Sequence, residues 1–363
     1  MNDKQQQSIV DKVKRGERLS SDEGLALCDC RDILWLSLLA TCVRRKYNGN
    51  TVYYNRNFHI EPTNICINDC VFCSYRRREG EAGSWALSLG EVRALCEPYV
   101  GMPITEVHVV GGVHPSRDIH FYASLLSTIK RTLPQVAIKA FTAVEIDYMA
   151  QQAGLSYEDT LQLLQQHGLD AMPGGGAEIF DETVRRRICP RKTDARTWLR
   201  IHETAHRLGI RTNATMLFGH IETPAHRIDH LIRLRELQDT TGGFDAFIPL
   251  KYKASNNALG AGSEVSTLDV LRTVAVCRLM LDNIPHIKAY WPMLGKDVMQ
   301  LALLFGADDV DGTIDDSTKI YSMAGADAHP TLTAPELETI VAAAGFTPAE
   351  RNTFYQTIKN DNS

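Results

Sequence analysis

The sequence predicts an α/β fold, a (β/α)8 barrel of the TIM type with helical extensions at its N-terminal and C-terminal ends. Three observations predict this fold. The 363 residues are 44% hydrophobic and 23% charged, which is a globular composition with enough apolar material for a large core. Short strand-like runs alternate with longer segments of helical period, and residue types that are unusual in a core follow directly after these runs.

Eight short runs of apolar and β-branched residues are the predicted strands. Strands that alternate with helices form parallel sheets with right-handed crossovers. Eight such units match a closed barrel, and a doubly wound open sheet is the alternative. The predicted strands are residues 57–61, 104–110, 136–142, 168–172, 210–217, 244–250, 286–291 and 308–312. The predicted helices include residues 88–100, 118–133, 156–167, 194–208, 224–240 and 266–284.

Helix start signals support these boundaries. Ser88 with Glu91, and Thr333 with Glu336, have the spacing of capping boxes. Pro224 stands in a predicted first turn, where its missing N–H costs nothing. We divide the chain into an N-terminal helical extension (residues 1–50), the barrel (residues 51–320) and a C-terminal helical extension (residues 321–363). Within the last of these, residues 333–357 are predicted to form one or two helices outside the barrel.

Charge and hydropathy narrow the range of functions. A formal net charge of -5 and a pI near 6.2 give no sign of nucleic-acid binding. The first twenty residues lack the apolar core of a signal peptide. No uninterrupted apolar run reaches the length of a membrane span. We therefore expect a cytoplasmic protein without stable membrane association.

Unusual residues follow the first five predicted strands. In a parallel barrel and in an open parallel sheet, chemistry takes place beyond the C-terminal ends of the strands. We therefore expect these residues to share one site. They are Cys66 after the first strand, Gly111 and Gly112 after the second, Glu145 after the third, Gly174, Gly175, Gly176 and Glu178 after the fourth, and Gly219, His220 and Glu222 after the fifth.

Three cysteines within eight residues, Cys66, Cys70 and Cys73, are the strongest local signal. A structural zinc usually needs four ligands, and no second cysteine pair is available to complete such a site. A four-iron cluster normally takes four cysteines, so three would leave one iron open to a small molecule, which indicates catalysis. A non-catalytic iron–sulfur or zinc-binding protein is the alternative. The other six cysteines are expected to be non-ligands, with Cys28, Cys30 and Cys42 as small buried hydrophobes.

The spacing C-x3-C-x2-C, with Phe72 before the last cysteine, resembles the signature loop of the radical S-adenosylmethionine superfamily. The resemblance implies a [4Fe–4S] cluster on Cys66, Cys70 and Cys73, whose open iron binds S-adenosylmethionine and whose reduced form yields a 5′-deoxyadenosyl radical. Val113 stands where that family usually has a glutamate after the glycine pair. The further cofactor-binding residues implied are Phe72, Tyr75, Gly111, Gly112, Glu145, Glu178, Leu217, Gly219 and Glu222.

A narrower resemblance comes from "VVGGVHP", "KAFTAVEI", "PGGGAEIF", "RTNATMLFGHIET", "GGFDAFIPL" and "HIKAYWPMLG". From about residue 55 onward these motifs are similar to those of aminofutalosine synthase (aminodeoxyfutalosine synthase) of menaquinone biosynthesis. The resemblance implies that the radical adds to the methylene carbon of 3-[(1-carboxyvinyl)oxy]benzoate. The adduct then rearranges and loses carbon dioxide or bicarbonate to give 6-amino-6-deoxyfutalosine. An electron donor such as flavodoxin or ferredoxin is implied as well. Dehypoxanthine futalosine cyclase and deazaflavin-precursor synthases are the alternatives.

A substrate with two carboxylates needs cationic or donor partners. We predict Lys288 and His220 as catalytic residues, and Arg77 and Tyr290 as substrate-binding residues. Lys288 needs a partner for its charge, which is either the substrate or an acidic neighbour. Tyr290 either walls the aromatic ring or fills the barrel. Further candidates are Arg76, Arg78 and Arg185, Arg186 and Arg187, for which a solvated helix face is the alternative.

Overall fold

The eight predicted strands are all present in the structure, a computed structural model that describes residues 1–260, 264–313, 319–320, 322–325 and 331–358. Most of them lie within two residues of the predicted bounds, but the first begins six residues earlier, the fourth begins three residues later and the seventh ends four residues earlier. They are β1 (Thr51–Ile60), β2 (Glu106–Val109), β3 (Ala137–Ala140), β4 (Ala171–Met172), β5 (Arg211–Phe218), β6 (Phe244–Lys251), β7 (His286–Ile287) and β8 (Asp309–Thr313).

These strands form a nearly closed parallel barrel, as predicted, rather than an open sheet. Their spatial order is β7-β6-β5-β4-β3-β2-β1-β8, and every neighbouring pair is parallel. A bridge between Lys288 and Asp309 joins the two ends of this order. The N–H of Ala289 donates to the carbonyl oxygen of Asp309 at 2.8 Å. The C-terminal ends of all eight strands therefore surround one opening.

Helices cover the outside of the barrel. The capping boxes at Ser88 and Thr333 are both formed, and Pro224 occupies the first turn of its helix. Within the described residues, no helix combines the length and the apolar character that crossing a membrane requires. The helices from the barrel onward are α4 (Leu89–Cys96), α5 (Ile119–Thr132), α6 (Ala143–Ala153), α7 (Tyr157–Gln166), α8 (Glu182–Ile188), α9 (Ala195–Arg207), α10 (Pro224–Thr241), α11 (Thr267–Met280), α12 (Trp291–Leu294), α13 (Lys296–Leu303) and α14 (Ala334–Ala343).

The N-terminal extension consists of three helices, α1 (Asp3–Arg15), α2 (Ser21–Cys28) and α3 (Ile33–Asn48). Helix α3 packs on α11 and ends where β1 begins. The buried guanidinium of Arg44 donates to the carbonyl oxygen of Ala307 at 3.0 Å and to that of Thr51. Cys30 is buried as expected, but Cys42 is exposed because it lies on the solvent side of α3. The prediction that Cys42 is a buried hydrophobe is therefore wrong.

In the described part of the C-terminal extension, α14 is the only helix. Helix α14 is followed by a short strand, β9 (Thr347–Glu350), where a second helix was one of the predicted options. Strand β9 pairs with the first four residues of β1, while β2 pairs with the last four, so the two strands share one edge of β1. Beyond β9 the chain reaches into the barrel: Arg351 Nε lies 2.6 Å from Asp309 Oδ2, and Thr353 Oγ1 donates to Glu106 Oε2 at 2.9 Å.

Candidate active site

The three clustered cysteines lie on an irregular loop between β1 and α4. The N–H of Cys66 donates to the carbonyl oxygen of Arg77 at 3.1 Å, and the N–H of Arg77 donates to that of Asn64 at 2.9 Å. The middle of the loop is fastened by the N–H of Val71, which donates to the carbonyl oxygen of Ile188 at 2.9 Å. Backbone hydrogen bonds therefore fix most of the loop.

The three thiols are free and line one cavity. Cys66 Sγ accepts a hydrogen bond from the N–H of Val113 at 3.3 Å, which favours a thiolate, although burial raises the pKa of Cys66 and of Cys70. No three His, Cys, Asp or Glu side chains in the described part of the chain converge as ligands of a single metal ion. A [4Fe–4S] cluster does not require such convergence, because each thiolate binds a different iron. Free thiols that face one cavity from one loop fit such a cluster.

The cavity, of about 290 Å³, lies inside the barrel at the C-terminal ends of the strands. Parallel barrels carry their active sites at this face. Most of the predicted site residues line the cavity, but Arg77, Gly219, His220 and Glu222 do not. The predicted residues that line it are Cys66, Cys70, Phe72, Cys73, Tyr75, Gly111, Gly112, Glu145, Glu178, Leu217, Lys288 and Tyr290.

The glycine pair after β2 lies against the cysteine loop. A Cβ atom on Gly111 would lie 2.8 Å from the carbonyl oxygen of Thr63, and one on Gly112 would lie 2.3 Å from that of Ile65. Both distances are shorter than any side chain tolerates against backbone. The pair is therefore required for the close approach of the two loops, and it also leaves backbone atoms exposed to the cavity.

Two aromatic residues of the cysteine loop face the cavity. The buried hydroxyl of Tyr75 donates to the carbonyl oxygen of Thr63 at 3.1 Å, and its ring lies edge-on to Trp85 with 5.3 Å between centroids. The ring of Phe72 lies 5.6 Å from the Nζ atom of Lys192. Both aromatic residues, which the resemblance implied as cofactor-binding residues, line the cavity beside the thiols.

Glu145 combines a structural role with a place at the cavity. Its Oε2 atom accepts from the N–H of Thr142 at 2.7 Å and from the Oγ1 of Thr142 at 2.8 Å, which completes the capping box of α6. Burial raises its pKa to about 7, against the lowering effect of hydrogen bonds from Thr142 and from the N–H of Gly111. The carboxyl therefore gains or loses its proton near neutral pH.

Glu178 pairs with a lysine that the sequence did not single out. Its Oε1 atom lies 2.5 Å from the Nζ of Lys192, and the pair lines the cavity next to Phe72. Glu178 has a φ of 49°, which holds it in the left-handed region that non-glycine residues seldom occupy. Its own carbonyl oxygen accepts from the N–H of Leu217 at 2.7 Å and ties this turn to β5.

The inner end of the cavity is polar. Glu106, His108 and Lys139 point into the barrel, whereas Val107 and Ile138, between them on the same strands, are fully buried in the outer core. Lys139 Nζ lies 2.8 Å from Glu106 Oε2. Lys288 forms an ion pair with Asp311, and its Nζ lies 3.7 Å from Asp309 Oδ1. The partner that its charge requires is thus an acidic neighbour, as one of the two predicted options had it.

The loop after β5 faces a different pocket, of about 400 Å³, between β5, α2, α10 and α11. Glu222 accepts from the N–H groups of Gly219 at 2.6 Å and His220 at 2.8 Å, and Arg227 Nη2 lies 2.6 Å from its Oε1 atom. The Nε2 atom of His220 lies 3.1 Å from the carbonyl oxygen of Leu217, and burial lowers its pKa. These side chains hold their own turn, so their positions do not support the predicted roles of His220 in catalysis or of Gly219 and Glu222 in cofactor binding.

The arginine run after Cys73 is mostly used on backbone. Arg77 Nη1 donates to the carbonyl oxygens of Ser74 at 3.0 Å and Arg76 at 2.8 Å. Arg77 was predicted to bind substrate, but it does not line the cavity. Arg78 donates to Cys66 and Ile67 carbonyl oxygens. Arg76 does line the cavity, and its buried Nε atom has no hydrogen-bond partner within the described ranges.

The further candidates Arg185, Arg186, Arg187 and Tyr290 lie in different surroundings. Arg185 is buried and donates to the carbonyl oxygen of Ile179 at 3.1 Å and to that of Ala177, so it stabilises a turn, while Arg186 and Arg187 are exposed. Tyr290 is buried at the cavity wall beside Met293.

Polar residues inside predicted strands, His108 in "EVHVV" and Lys139 in "VAIKAFT", were the available signal for the inner end of the cavity.

Comparison with known proteins identifies the family of the chain. The model of the radical SAM superfamily matches residues 60–234, and the model of the CofH/MqnC C-terminal region matches residues 241–363. Aminodeoxyfutalosine synthase from Thermus thermophilus is 45% identical over 97% of this chain and 95% of its own length. The enzyme of the same name from Streptomyces coelicolor is 41% identical over 97% of this chain and 93% of its own length.

More distant relatives carry other names on the same fold. The 5-amino-6-(D-ribitylamino)uracil–L-tyrosine 4-hydroxyphenyl transferase of Archaeoglobus fulgidus is 38% identical over 88% of this chain and 92% of its own length. The crystal structure of methylornithine synthase superposes with a TM-score of 0.73 at 20% identity, covering 94% of this chain and 97% of that one. This likeness establishes the fold. The 45% and 41% identities to two aminodeoxyfutalosine synthases extend over nearly the full length of the chain. The chain therefore belongs to the radical SAM superfamily and, within it, to the family of the aminodeoxyfutalosine synthases.

Proposed function

We propose that this enzyme joins the 5′-deoxyadenosyl group of S-adenosylmethionine to the methylene carbon of 3-[(1-carboxyvinyl)oxy]benzoate. The product is 6-amino-6-deoxyfutalosine, with methionine and carbon dioxide or bicarbonate released. One observation carries the proposal: the three thiols and a set of cationic side chains open into the same barrel cavity. A nucleotide bound at the thiols would there lie against an anionic aromatic substrate bound deeper in the barrel.

The cofactor site in this proposal is the cysteine loop. Cys66, Cys70 and Cys73 would hold a [4Fe–4S] cluster with one iron left for S-adenosylmethionine. When bound and reduced, these two groups supply a 5′-deoxyadenosyl radical. Phe72 and Tyr75 offer aromatic faces beside the thiols. An electron donor such as flavodoxin or ferredoxin completes the proposal.

The protein's own contribution is to position two reactants and to exclude water. Holding them at near-attack distance replaces an encounter in solution by an effectively unimolecular step. Apolar side chains at the wall of the cavity, among them Leu217, Ile248, Leu250 and Met293, keep solvent from the reacting carbon. Tyr290 provides an aromatic surface for the substrate ring.

The charge of the cavity suits a substrate with two carboxylates. Among the described residues that line it, four are carboxylates and six are cations, and burial raises the pKa of Glu145 to about 7. Opposite charge in a recessed, low-dielectric cavity attracts a ligand and orients it. The lining carboxylates are Glu106, Glu145, Glu178 and Asp311, and the cations are Arg76, Lys139, Lys192, Lys251, Lys253 and Lys288.

A product assay tests the proposal. Anaerobically reconstituted enzyme, reduced with dithionite or with reduced flavodoxin, is incubated with S-adenosylmethionine and the enolpyruvyl benzoate. We expect an adduct that contains the adenosyl group and has lost one carboxylate. Free 5′-deoxyadenosine without an adduct would instead favour a futalosine cyclase. Turnover of 5-amino-6-(D-ribitylamino)uracil with tyrosine, and not of the benzoate, would favour the activity that the Archaeoglobus fulgidus relative is named for.

A further inference from the structure

The inner end of the cavity contains the imidazole of His108, whose ring lies edge-on to that of His59 with 4.8 Å between centroids. His108 of β2 is paired in register with His59 of β1 and Lys139 of β3. Side chains at paired positions of neighbouring parallel strands project from the same face of the sheet. His108 and Lys139 both line the cavity, so an imidazole and an ammonium lie side by side in its inner wall.

The charged groups around His108 are already matched with one another. Lys139 is paired with Glu106, which also accepts from Thr353, and Lys288 is paired with Asp311. Asp309 is paired with Arg351. An ammonium has three N–H donors, and the pairing with Glu106 occupies one of those on Lys139. Lys139 can therefore donate a hydrogen bond to a ligand oxygen while its ion pair with Glu106 stays intact.

The Nε2 atom of His108 lacks such a partner in the described part of the chain. It is buried and has no hydrogen-bond partner among the residues that the structure describes. Buried polar atoms in native structures are nearly always hydrogen-bonded, and an exception calls for an explanation such as a ligand. Burial, followed by the neighbouring His59, keeps the pKa of His108 well below its ordinary value, so the ring is neutral and one of its nitrogens carries a proton.

The position of His108 along the barrel selects the end of the substrate that it meets. Glu106 and His108 lie on the inner face of β2, Val110 lines the cavity directly after the strand, and the cysteine loop lies beyond the end of β1. In the proposed substrate the reacting methylene and the ring carboxylate lie at opposite ends, while the other carboxylate is bonded next to the methylene. With the methylene near the thiols, the ring carboxylate points inward.

We infer that His108 and Lys139 form the binding subsite for the ring carboxylate of the benzoate substrate. The imidazole N–H and a free ammonium N–H each donate to this carboxylate and fix the depth of the ring in the barrel. Binding energy at this remote group positions the methylene, which is how non-reacting parts of a substrate assist a reaction. This inference rests on the proposed function and adds the orientation of the substrate to it.

Equilibrium dialysis of unreduced enzyme, in which no turnover occurs, measures the subsite directly. For His108→Leu, which removes the donor, we expect the dissociation constant of the enolpyruvyl benzoate to rise about tenfold, the loss of one hydrogen bond to a charged group. His108→Gln, whose amide nitrogen can take the place of Nε2, should stay within about threefold of wild type. His202 is a buried histidine of α9 that also has an unpartnered Nε2 atom but does not line the cavity, so His202→Leu is the matched control and should bind normally.

A truncated ligand identifies the carboxylate. 2-Phenoxyacrylate lacks only the ring carboxylate and with it both proposed hydrogen bonds, so it should bind wild type at least tenfold more weakly than the full substrate. It should bind His108→Leu as it binds wild type. Equal weakening of both ligands by His108→Leu, or no weakening of either, would overturn the subsite. The wild-type comparison of the two ligands needs no variant and decides the same question if a variant does not fold. A wild-type enzyme that binds the full substrate but forms no adduct would contradict the proposed function and leave the subsite intact.

Discussion

The loops that follow β1 and β5 use their side chains in opposite ways. The loop after β1 is held mainly by backbone hydrogen bonds, and Cys66, Cys70 and Cys73 face the cavity. Of the three thiols, Cys66 accepts one hydrogen bond, from the N–H of Val113. The loop after β5 is held by its own carboxylate, because Glu222 accepts from two of its N–H groups and pairs with Arg227. A reactive residue type at a strand end therefore identifies a candidate, but only a side chain that the fold does not already use is available to a ligand.

Removing a cysteine tests the first loop and should have the largest effect. Cys66→Ala is expected to lower the iron content and to reduce cleavage of S-adenosylmethionine to background, while the thermal unfolding midpoint changes little, because the barrel supplies the core. Iron analysis, 5′-deoxyadenosine formation and circular dichroism measure the three quantities. Cys189→Ala is the matched control: Cys189 is buried and influences the pKa of Cys70, but it does not line the cavity. Loss of folding in Cys66→Ala alone would indicate a structural metal site instead.

Glu145, after β3, is the intermediate case, since it both caps a helix and faces the cavity. Its pKa is about 7 in the folded protein against 4.5 ordinarily, so the folded state retains this proton to higher pH than the unfolded chain. The contribution of Glu145 to the free energy of unfolding is therefore lost as pH rises from about 4.5 to about 7. Glu145→Gln keeps the cap but cannot ionise. Without S-adenosylmethionine, it should gain about 3 kcal/mol relative to wild type across this window.

Urea unfolding at pH 5 and pH 8 measures this difference. The Glu91→Gln variant provides the comparison, because Glu91 occupies the same capping position of α4 but is exposed. We expect no comparable gain for Glu91→Gln between the two pH values. A gain that is equal for both variants would show that capping, and not burial of Glu145, sets the pH dependence.

Glu222→Gln tests the second loop. We expect the free energy of unfolding to fall by about 2 kcal/mol, because Arg227 loses a buried partner charge. The KM for S-adenosylmethionine should remain within about twofold of wild type, since Glu222 does not line the barrel cavity. Glu236→Gln changes an exposed residue of α10, the helix that carries Arg227, and should alter neither quantity. A raised KM with unchanged stability would return Glu222 to the cofactor site.

Arg76 and Arg77 sharpen the comparison within the first loop, because neighbouring arginines there have different tasks. Arg76→Ala should weaken binding of the enolpyruvyl benzoate about tenfold, since its Nε atom is unpartnered at the cavity. Arg77→Ala should leave binding unchanged and lower the melting temperature, because Arg77 holds backbone carbonyl oxygens of the loop. Equal weakening by both variants would contradict this division.

His220 should show the smallest effect. If its ring only supports the turn after β5, His220→Gln keeps kcat within about threefold of wild type, measured at a temperature where the variant is folded. A general acid or base contributes about 10²-fold or more. A loss of that size with an unchanged melting temperature would restore the catalytic role that the sequence suggested.

The fold could be predicted almost completely from the sequence, since eight strands and their intervening helices have separate periodicities. The cysteine loop could also be predicted as a candidate site, because three cysteines within eight residues stand out in the sequence. Strand β9 was missed because "TPAE" is short and carries no alternating pattern; only pairing with β1 makes it a strand.

The direction of each side chain was not predictable. Strands of a parallel barrel are buried on both faces, so their sequences do not show which residues point inward. His108 and Lys139 were therefore not selected, although polar residues within buried strands need partners. Lys192 was not selected because it lies on the connection between α8 and α9, and only the fold brings its ammonium to Glu178. His220 was selected for its residue type at a strand end, and the sequence does not show that its Nε2 atom lies 3.1 Å from the carbonyl oxygen of Leu217.

The proposed chemistry depends on one iron that no protein side chain binds. Electron–nuclear double resonance of the reduced enzyme, with S-adenosylmethionine carrying ¹⁵N in its amino group, observes that iron directly. We predict a ¹⁵N coupling to the cluster in wild type and in Cys189→Ala. A four-iron cluster without any such coupling, with all irons bound by protein ligands, would contradict it.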